Sequence, residues 1–458
     1  MRNKEITQRK TKILATLGPS SNTIKKIIEL SKAGANAFRL NCSHLNEQGL
    51  KDYVKKIRRA EKILNKPIGI LVDLQGPKIR IGKVKDGENI LKKDSIFLLD
   101  LKKEIGNYKR VTLPHKKIFS SAKNGHLILL DDGKIHLKVT SVKANEIRTK
   151  VLQGGLLKSN KGVNLPQTNI RTSALSSIDK KFASIAVQEG VDWIALSFVQ
   201  KPNDIKELRK ICLNKVSIMA KIEKPTALDY INEIADLADG IMIARGDLGV
   251  ELPIESVPGW QKKIIRVARV KGRPVVVSTQ MLESMTSSLT PTRAEVSDVA
   301  NAVFEGADAI MLSAESASGD YPVETVKMMN KIAINIEKDS NYNDILSSQL
   351  EDTPDTTPDA IAVAAKTLAD ELSAPIIVCY TESGSTGIKV SRVRPSQTIL
   401  TITPVVQTAR KLSLAWGVLC FLQKDESDLE HMIKLTKKTV KKSGLAIAGD
   451  KVVITAGL

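Results

Sequence analysis

Eight short, mostly aliphatic runs recur in the first 312 residues, and their spacing constrains the fold more than any other feature. Each run has the length of a strand, and the segments between most of them repeat apolar residues at helical spacing. Most runs begin about 23 to 35 residues after the previous one, which suits the repeated strand–helix units of a closed barrel. The runs are Lys12–Thr16, Ala37–Asn41, Ile68–Asp73, Trp193–Phe198, Ser217–Lys221, Gly240–Ala244, Pro274–Thr279 and Ala309–Leu312. The sequence therefore predicts an α/β protein built on a (β/α)8 TIM barrel.

The interval between the third and fourth runs is about 125 residues, roughly 95 more than a strand–helix unit needs. We assign the excess, residues 77–173, to an inserted domain, and the barrel to residues 1–76 and 174–345. Within the insert, HLILL-DDG-KIHLKV predicts a β-hairpin that turns at Asp131–Gly133. The stretches NILKKDSIFLL and NEIRTKVL add strands. The insert is therefore predicted to be an all-β lid on the catalytic edge of the barrel.

Residues 346–458 predict a third domain, of α/β type with a mostly parallel sheet, after a polar, proline-containing segment at 341–359 that is typical of a linker. The predicted strands are Pro375–Tyr380, Thr398–Thr403, Gly417–Phe421 and Lys451–Thr455. After the first of them, the loop Thr381–Thr386 (TESGST) leads into a helix from about Gly387. Such a loop at a helix N-terminus can bind phosphate, although similar loops often only turn the chain.

The formal net charge of +20 is concentrated in the insert, where residues 77–173 hold 21 Lys or Arg against 8 Asp or Glu. Three interpretations are open: nucleic-acid binding, a basic lid over a phosphorylated substrate, and a lysine-rich solvated surface. Aromatic residues make up only 3% of the chain, which is few for base stacking. We therefore favour the basic lid and expect no nucleic-acid partner.

Three features bear on the compartment of the protein. No run of about 18 apolar residues occurs, so no membrane-spanning helix is expected. The N-terminal stretch MRNKEITQRKTK lacks the apolar core of a secretory signal. The cysteines lack metal-site spacing and are expected to be reduced thiols; they are Cys42, Cys212, Cys379 and Cys420. Together these features predict a cytoplasmic location.

Charged side chains follow the fifth and sixth runs, where parallel strands end at one edge of a barrel. Lys221 and Glu223 are two residues apart and leave their strand on one face. Asp247 lies in the turn ARGDLG after the sixth run. Two carboxylates about 4 Å apart repel by about 4 kcal/mol at an effective dielectric constant of about 20. The pattern therefore predicts a Mg²⁺ (or Mn²⁺) site, with a buried ion-pair network as the alternative.

Beyond these patterns, the sequence resembles the pyruvate kinase family over nearly its whole length. The matching stretches are KTKILATLGPSS, FRLNCSH, DLQGPKIR, LDDG, KGVNLP, KIEKP, ARGDLGVE, STQMLESM, PTRAEVSDVANAV and MLSAESASGDYP. The resemblance implies a (β/α)8 barrel, a β-barrel lid, and a C-terminal α/β domain that carries an effector site. It also implies transfer of the phosphoryl group of phosphoenolpyruvate to ADP, giving pyruvate and ATP as the last step of glycolysis, by a homotetramer.

The resemblance further implies roles for residues at the strand ends. The residues matched to catalytic positions are Arg39, Lys221, Thr279, Ser313 and Glu315. Those matched to the substrate site are Arg39, Lys221, Ala244, Arg245, Gly246, Asp247 and Thr279. Those matched to the magnesium ligands are Glu223 and Asp247. Phosphoryl transfer needs cations around the moving group and little covalent chemistry by the protein, which agrees with Arg39 and Lys221.

Other residues match sites around the catalytic centre. Those matched to the monovalent-cation pocket are Asn41, Ser43, Asp73 and Leu74. Those matched to nucleotide-binding positions are Asn41, His44, Arg80 and Lys161, and the lid residue that reaches the site on closure is Asp132. Those matched to the effector loop are Thr381, Glu382, Ser383, Gly384, Ser385 and Thr386. Because the carboxylate in this loop would repel a second phosphate, a monophosphate is expected there.

Two positions depart from the family pattern. Lys78, in GPKIR, stands where potassium-dependent members carry glutamate. Its ammonium group can reach the space of a monovalent cation, so K⁺ is not expected to be required. The sequence ends at Gly457–Leu458, where family members usually continue into a glycine-rich loop over the effector. Weak effector binding is therefore expected.

Two other functions are kept as alternatives. A Mg²⁺-dependent phosphoenolpyruvate lyase-type enzyme could use a similar barrel, but it would need neither the basic lid nor the third domain. An inactive, nucleic-acid-binding relative would no longer need its catalytic side chains, yet the main ones are present. They are Arg39, Lys221, Glu223, Asp247 and Thr279.

Overall fold

The computed structural model describes residues 9–168, 173–348, 356–424 and 428–456, and its centre is a closed barrel of eight parallel strands. In chain order the strands are Lys12–Thr16, Ala37–Asn41, Gly69–Asp73, Trp193–Leu196, Ser217–Ile222, Gly240–Ala244, Val275–Ser278 and Ala309–Leu312. Each strand pairs with its neighbours along the chain, and the first also pairs with the eighth. The predicted TIM barrel is confirmed, and the strand ends differ from the predicted bounds by at most two residues.

Amphipathic helices cover the outside of the barrel. In Glu47–Leu64, for example, Leu50, Val54 and Ile57 recur at helical spacing and are buried. The barrel helices are Ile24–Ala33, Glu47–Leu64, Ser177–Gln188, Pro202–Cys212, Pro225–Asp229, Ile231–Leu237, Arg245–Glu251, Val257–Val270, Arg293–Phe304, Ala314–Ala317 and Pro322–Glu337. Because both faces of each strand are covered, the strands are continuous apolar runs rather than alternating ones.

The barrel interior is packed with side chains, and the C-terminal domain closes its floor. The interior residues from the strands are Leu14, Ala37, Leu71, Trp193, Ala195, Met219, Met242, Val276, Ala309 and Met311. Leu414, from the 3₁₀ turn Leu412–Leu414, is fully buried in the same cluster. The indole Nε1 of Trp193 donates a hydrogen bond to the carbonyl of Lys411 at 3.2 Å. With the floor closed, the carboxyl ends of the strands form the open end of the barrel.

Buried ion pairs also join the barrel to the C-terminal domain. Arg410 Nη2 lies 2.5 Å from Glu61 Oε2, and Arg394 Nη2 lies 3.0 Å from Asp308 Oδ2. Removing one partner of such a pair leaves a charge buried without compensation, which is strongly destabilising. These pairs therefore fix the orientation of the two domains.

The insert forms the predicted all-β lid, with one short helix, Lys116–Ser121. Its main sheet has six strands in the order Val163–Asn164, Leu127–Leu130, Ile135–Lys143, Glu146–Gln153, Ile96–Asp100 and Arg110–Thr112. A separate ribbon pairs Gly155–Lys158 with Glu88–Leu91. The hairpin turn predicted at Asp131–Gly133 is present, and all three of its residues have positive φ.

The C-terminal domain has the predicted parallel sheet. Its strands, in spatial order, are Val418–Leu422, Thr398–Thr403, Ile376–Tyr380 and Val453–Ala456. Its helices are Thr357–Glu371, Ser385–Arg392, Val406–Lys411 and Leu429–Ser443. Gly457–Leu458 lie outside the described residues. No helix in the described ranges combines the length and the apolar composition that crossing a membrane requires.

The segment predicted as a linker, 341–359, is partly helical. Tyr342–Ser348 is a helix, and its Tyr342 and Leu346 are buried in the barrel's outer core. The hydroxyl of Tyr342 accepts a hydrogen bond from Trp416 Nε1 at 3.2 Å. Residues 349–355 lie outside the described part of the chain. The linker prediction was wrong for the helix because two anchoring side chains outweigh its polar composition.

Candidate active site

Lys221 is the centre of a buried charge network at the carboxyl-end edge of the barrel. Its Nζ lies 2.8 Å from Glu223 Oε1 and 3.1 Å from Asp73 Oδ1. It also donates a hydrogen bond to Ser197 Oγ at 2.8 Å. Arg39 extends the network, with its Nη2 and its Nε each 2.7 Å from Asp73 Oδ2. Consecutive barrel strands thus bring two cations and two carboxylates into one group.

The pKa shifts in this network follow from burial and from the charge of each neighbour. Burial by itself would lower the pKa of Lys221, but Asp73 and Glu223 outweigh it and raise that pKa. Burial would raise the pKa of Asp73, but Lys221 and Arg39 hold it below its usual value. For Glu223, burial raises the pKa and Asp247 raises it further, against the opposing effect of Lys221. Of the two carboxylates in this network, Glu223 is therefore the one whose negative charge is less well compensated by nearby cations.

The sixth strand leads into a short helix, Arg245–Glu251, whose first turn carries Asp247. Asp247 acts electrostatically on both Lys221 and Glu223, which places it beside the network. The carboxylate lines a cleft of about 220 Å³ between barrel and lid. The structure therefore brings together the three residues whose convergence the strand-end argument predicted.

Gly246 and Thr279 lie side by side at this turn. A methyl group on Gly246 would lie 2.7 Å from Thr279 Cγ2, closer than side chains approach each other. Thr279 directly follows the seventh strand and has a φ of 78°, which is uncommon for a β-branched residue. Such strain is typical of functional sites, where the surrounding structure holds the backbone in place. The close approach leaves room for glycine alone.

Replacing Gly246 with alanine is expected to lower turnover about 10²-fold, the effect of displacing reacting groups by about 1 Å. The new methyl group would have to move Thr279, whose branched side chain has few alternative rotamers. The measurement is steady-state turnover at saturating substrate. Gly249→Ala is the matched control, because a methyl group there meets no atom nearer than 3.7 Å. Equal turnover in the two variants, both folded by circular dichroism, would contradict the role of the Gly246–Thr279 contact.

The side chain of Arg245 is turned away from the Lys221 network. Its guanidinium forms two contacts with Asp298, at 2.5 and 2.6 Å. It also donates a hydrogen bond to the carbonyl of Thr279 at 2.6 Å. Ala244 is the last residue of the strand. The side chain of Arg245 therefore supports the turn. Its main-chain groups are the part of the residue left to contact a ligand.

Ser313 and Glu315 lie after the eighth strand, where the carboxylate is fully buried. Glu315 Oε2 accepts a hydrogen bond from the Ser313 amide at 2.6 Å, and its Oε1 accepts one from the Leu282 amide at 3.4 Å. Burial raises the pKa of Glu315, although these amides oppose the shift. The carboxyl group thus ties together the ends of the last two strands.

The residues predicted for the monovalent-cation pocket lie along one rim of the barrel. Asn41 and Asp73 are paired in register at the ends of the second and third strands. Asn41 Oδ1 accepts a hydrogen bond from the Ser43 amide at 3.1 Å, and the Leu74 carbonyl accepts one from the Ser197 hydroxyl at 2.7 Å. Both oxygens of Asp73 are already bonded to cations. Ser43 and the neighbouring nucleotide-side residue His44 are exposed.

Lys78 lies on the lid side of the cleft, and its Cε packs next to Gly162 of the lid. Within the described ranges, no hydrogen bond or ion pair joins Lys78 to Asn41, Ser43 or Asp73. Lys78 lines the same cleft as Asp247.

The other predicted lid residues lie close to the hairpin turn. Arg80 Nη1 donates a hydrogen bond to the Asn160 carbonyl at 3.0 Å. Lys161 Nζ lies 2.7 Å from Asp131 Oδ1, and burial, which would raise the pKa of Asp131, is outweighed by this lysine. Asp132 is exposed at the turn. Lys161 is thus already paired within the lid.

The predicted effector loop, Thr381–Thr386, runs into the helix Ser385–Arg392, which begins two residues before the predicted start at Gly387. Gly384 has a φ of 91°, and its amide donates a hydrogen bond to Thr381 Oγ1 at 2.9 Å. Glu382 is exposed. The loop therefore presents several hydroxyl groups and a helix N-terminus on the surface of the C-terminal domain.

Sequence reasoning missed several residues at the edge of the cleft. Ser197 and Phe198 directly follow the fourth strand, so the strand-end rule could have found them. A contact between barrel and lid is formed by Lys224, Glu251 and Asn164, and no local sequence pattern predicts it. They are described below.

The donor set at this edge fits a hard divalent cation. Glu223 and Asp247 offer oxygen ligands, and burial together with the nearby Asp247 raises the pKa of Glu223 despite its ion pair with Lys221, so a further cation would stabilise both carboxylates. Among the described residues, no group of three or more His, Cys, Asp or Glu could hold a metal ion. A metal here would therefore take part of its coordination from the substrate and water, as Mg²⁺ usually does.

Two models of known protein families match the chain, one over the barrel and the lid and one over the C-terminal domain. The family described as "Pyruvate kinase, barrel domain" matches residues 8–326, and "Pyruvate kinase, alpha/beta domain" matches residues 359–458. Together these matches cover most of the chain.

Individual proteins give the same result. A pyruvate kinase of Methylorubrum extorquens is 48% identical over 450 residues, which cover 98% of this chain and 94% of that protein. One from Agrobacterium vitis is 45% identical, with 98% and 95% covered. The crystal structure of a pyruvate kinase from Cryptosporidium parvum superposes with a TM-score of 0.95 at 33% identity, covering 100% of this chain and 95% of that one.

Proposed function

The chain belongs to the pyruvate kinase family of enzymes, and from this premise we propose that it transfers the phosphoryl group of phosphoenolpyruvate to ADP, giving pyruvate and ATP. The observation that carries the proposal is the position of Lys221. It is a buried cation at the carboxyl-end edge of the barrel, held between Asp73 and Glu223 and next to Arg39.

Phosphoryl transfer moves a group whose negative charge is spread over three oxygens. Lys221 and Arg39 are fixed in place by Asp73, so they can stabilise this charge without reorganising during the reaction. Lys221 itself is buried, so its charge is little screened by solvent. Positioning and charge are therefore the contribution of these residues.

Glu223 and Asp247 would hold Mg²⁺ (or Mn²⁺). When bound, the metal supplies positive charge that neutralises the substrate oxygens. The protein's part is to hold both carboxylates at the cleft: Glu223 through a hydrogen bond that the Phe198 amide donates to its Oε2 at 2.8 Å, and Asp247 through the start of its helix.

The turn Ala244–Asp247 is proposed to bind the substrate carboxylate through main-chain amides at the start of the helix. Thr279 packs against this turn, which suits a position beside the methylene carbon of the enolate. Burial raises the pKa of Glu315, whose Oε2 accepts a hydrogen bond from the Ser313 amide, and these two residues are proposed to take part in a proton relay.

ADP is proposed to bind between Asn41, His44 and the lid residues Arg80 and Lys161. The exposure of His44 and Arg80 supports this, since a nucleotide needs an open approach. Asp132 would reach the site when the lid moves toward the barrel.

The test is pyruvate formation from phosphoenolpyruvate with and without ADP, at saturating Mg²⁺. We expect turnover that requires ADP and yields equal amounts of pyruvate and ATP. Pyruvate formed without ADP would indicate a lyase-type enzyme. No turnover together with RNA binding would indicate the inactive relative.

We expect the same turnover in Na⁺, K⁺ or tetramethylammonium buffers at equal ionic strength. The reason is that Lys78 lines the cleft together with Asp247, and a tethered cation there would need no ion from solution. Lys78→Glu should lower turnover without K⁺ and recover part of it when K⁺ is added. A tenfold loss in the unmodified protein on removing K⁺, reversed by K⁺ alone, would contradict this.

Two features outside the barrel complete the proposal. The loop Thr381–Thr386 is proposed to bind a phosphorylated effector, supported by its hydroxyl groups and by the helix it begins. The exposed carboxylate of Glu382 favours a monophosphate.

A homotetramer is supported by exposed apolar residues spaced along one face of the helix Thr357–Glu371 and just beyond it. They are Ile361, Leu368 and Leu372.

A further inference from the structure

We propose that Glu251 is a positioning residue that latches the lid to the barrel and, through Lys224 and Phe198, links the lid's position to the carboxylate of Glu223. The inference rests on the proposed function, because it assigns the geometry of that active site to residues outside it. Of these residues, Glu223 and the Phe198 amide that holds it already have a part in the proposed function, whereas Glu251 and Lys224 do not.

One side-chain oxygen of Glu251 is contacted both by a lid residue and by a barrel residue. Asn164 of the lid donates a hydrogen bond from its Nδ2 to Glu251 Oε1 at 2.9 Å. Lys224 of the barrel approaches the same oxygen with its Nζ at 2.5 Å. The Glu251 side chain is 1% exposed and Asn164 is buried, so water cannot readily replace either partner. The contact therefore behaves as one three-part unit.

Opening the lid would break this unit. Asn164 lies in the edge strand Val163–Asn164 of the lid sheet, so it must move with the lid. Glu251 would then lose a hydrogen bond to a buried charge, one of the stronger polar contacts in proteins. A second contact lies next to it, because a methyl group on Gly133 of the lid would be 3.6 Å from a Val250 methyl. The lid thus rests on the end of the same helix that carries Asp247.

On the barrel side, the contact continues to the proposed metal ligand. The ammonium of Lys224 lies 5.7 Å from the centre of the Phe198 ring, within cation–π range. The amide of Phe198 donates a hydrogen bond to Glu223 Oε2 at 2.8 Å. Phe198 has a φ of 56°, so its backbone is strained and needs neighbours to hold it.

One of those neighbours is Gly76, at the start of the connection to the lid. A methyl group on Gly76 would lie 2.4 Å from Phe198 Cδ2, so the ring packs directly against the backbone there. The ring is therefore held between this connection and Lys224. When the lid moves, Phe198 is displaced from both sides, and with it the amide that holds Glu223.

If the latch keeps the lid in its competent position, weakening it should raise the apparent dissociation constant of substrate in inverse proportion to the fraction of molecules that stay competent. Substrate binding would then restore closure, so turnover at saturation should change little. A pair that only stabilises the fold would instead lower the melting temperature and leave KM unchanged.

The test is Asn164→Leu, which keeps the size of the side chain and leaves the Glu251–Lys224 pair in place. Asn89→Leu is the matched control, because Asn89 donates its hydrogen bond within the lid, to the Lys85 carbonyl. We expect Asn164→Leu to raise the KM for phosphoenolpyruvate about tenfold, the effect of one hydrogen bond to a charged group, with kcat within about threefold. The control should match the unmodified protein.

Hydrogen exchange in the substrate-free protein gives a readout that does not depend on catalysis. Asn164→Leu should speed amide exchange in residues 76–82 and 161–168 several-fold, and Asn89→Leu should not. Absence of ADP-dependent pyruvate in the unmodified protein would overturn the proposed function, while the exchange rates would still decide the latch. Unchanged exchange and unchanged KM in Asn164→Leu would overturn the latch.

Lys224→Arg and Lys224→Met provide the second comparison. Arginine keeps a cation opposite Glu251 and is expected to keep KM within about threefold, whereas methionine removes the cation and should raise KM about tenfold. Equal KM values for the two variants, both folded, would overturn the part of the proposal that runs through Lys224.

Discussion

Replacing Lys221 with methionine is expected to lower turnover about 10²–10³-fold, the usual effect of removing one preorganised donor from a developing charge. The methionine fills a similar volume, but it leaves the transferring phosphoryl group with Arg39 as its remaining protein cation. The measurement is ADP-dependent pyruvate formation at saturating substrate and Mg²⁺. Asp73 keeps its contacts with Arg39, and Glu223 keeps the Phe198 amide, so the fold should persist.

The control for this variant is Lys215→Met. Lys215 is exposed and lies two residues before the strand that carries Lys221. Lys215→Met makes the same change of charge and side-chain length as Lys221→Met, but away from the site. Its turnover should therefore stay within about twofold of the unmodified protein. A Lys221→Met enzyme within tenfold of the unmodified one, with an unchanged circular dichroism spectrum, would remove Lys221 from the phosphoryl site.

Replacing Leu414 with alanine is expected to destabilise the protein by about 3–5 kcal/mol. The side chain is fully buried in the barrel's interior cluster, beside Trp193. Removing it leaves a cavity that the surrounding strands cannot collapse into, because they are closed into a barrel. The measurement is the midpoint of urea unfolding, followed separately by tryptophan fluorescence and by circular dichroism.

Leu429→Ala is the control, since Leu429 is 67% exposed on a helix of the C-terminal domain. It should change stability by no more than about 0.5 kcal/mol. If Leu414→Ala destabilised the protein as little as Leu429→Ala, the barrel floor would not depend on the C-terminal domain.

The barrel and the core of the site could be predicted from the sequence because both follow from local periodicity. Strands buried on both faces form continuous apolar runs, and the polar residues that end them mark one edge of the barrel. Lys221, Glu223 and Asp247 were found in this way. Their individual roles came instead from the resemblance to a family, since spacing alone left a buried ion-pair network open.

The latch could not be predicted because it depends on contacts between distant parts of the chain. Asn164 and Glu251 are 87 residues apart, and neither lies in a pattern that names its partner. The helix Tyr342–Ser348 was missed for a related reason. Its polar composition is typical of a linker, and only the buried contacts of Tyr342 reveal why it is ordered. Both the latch and this helix depend on tertiary packing, which local sequence patterns do not reveal.

The closed barrel floor also has a consequence for the order of synthesis. All eight strands have been made once the ribosome passes Leu312, but the residue that seals their lower end is Leu414. At about 5–20 residues per second, the intervening chain takes roughly 5–20 s to make. During that interval the nascent barrel has all its strands but exposes the apolar ring around Trp193 to solvent. The interior packing of the barrel during translation is therefore completed only when the C-terminal domain has been made.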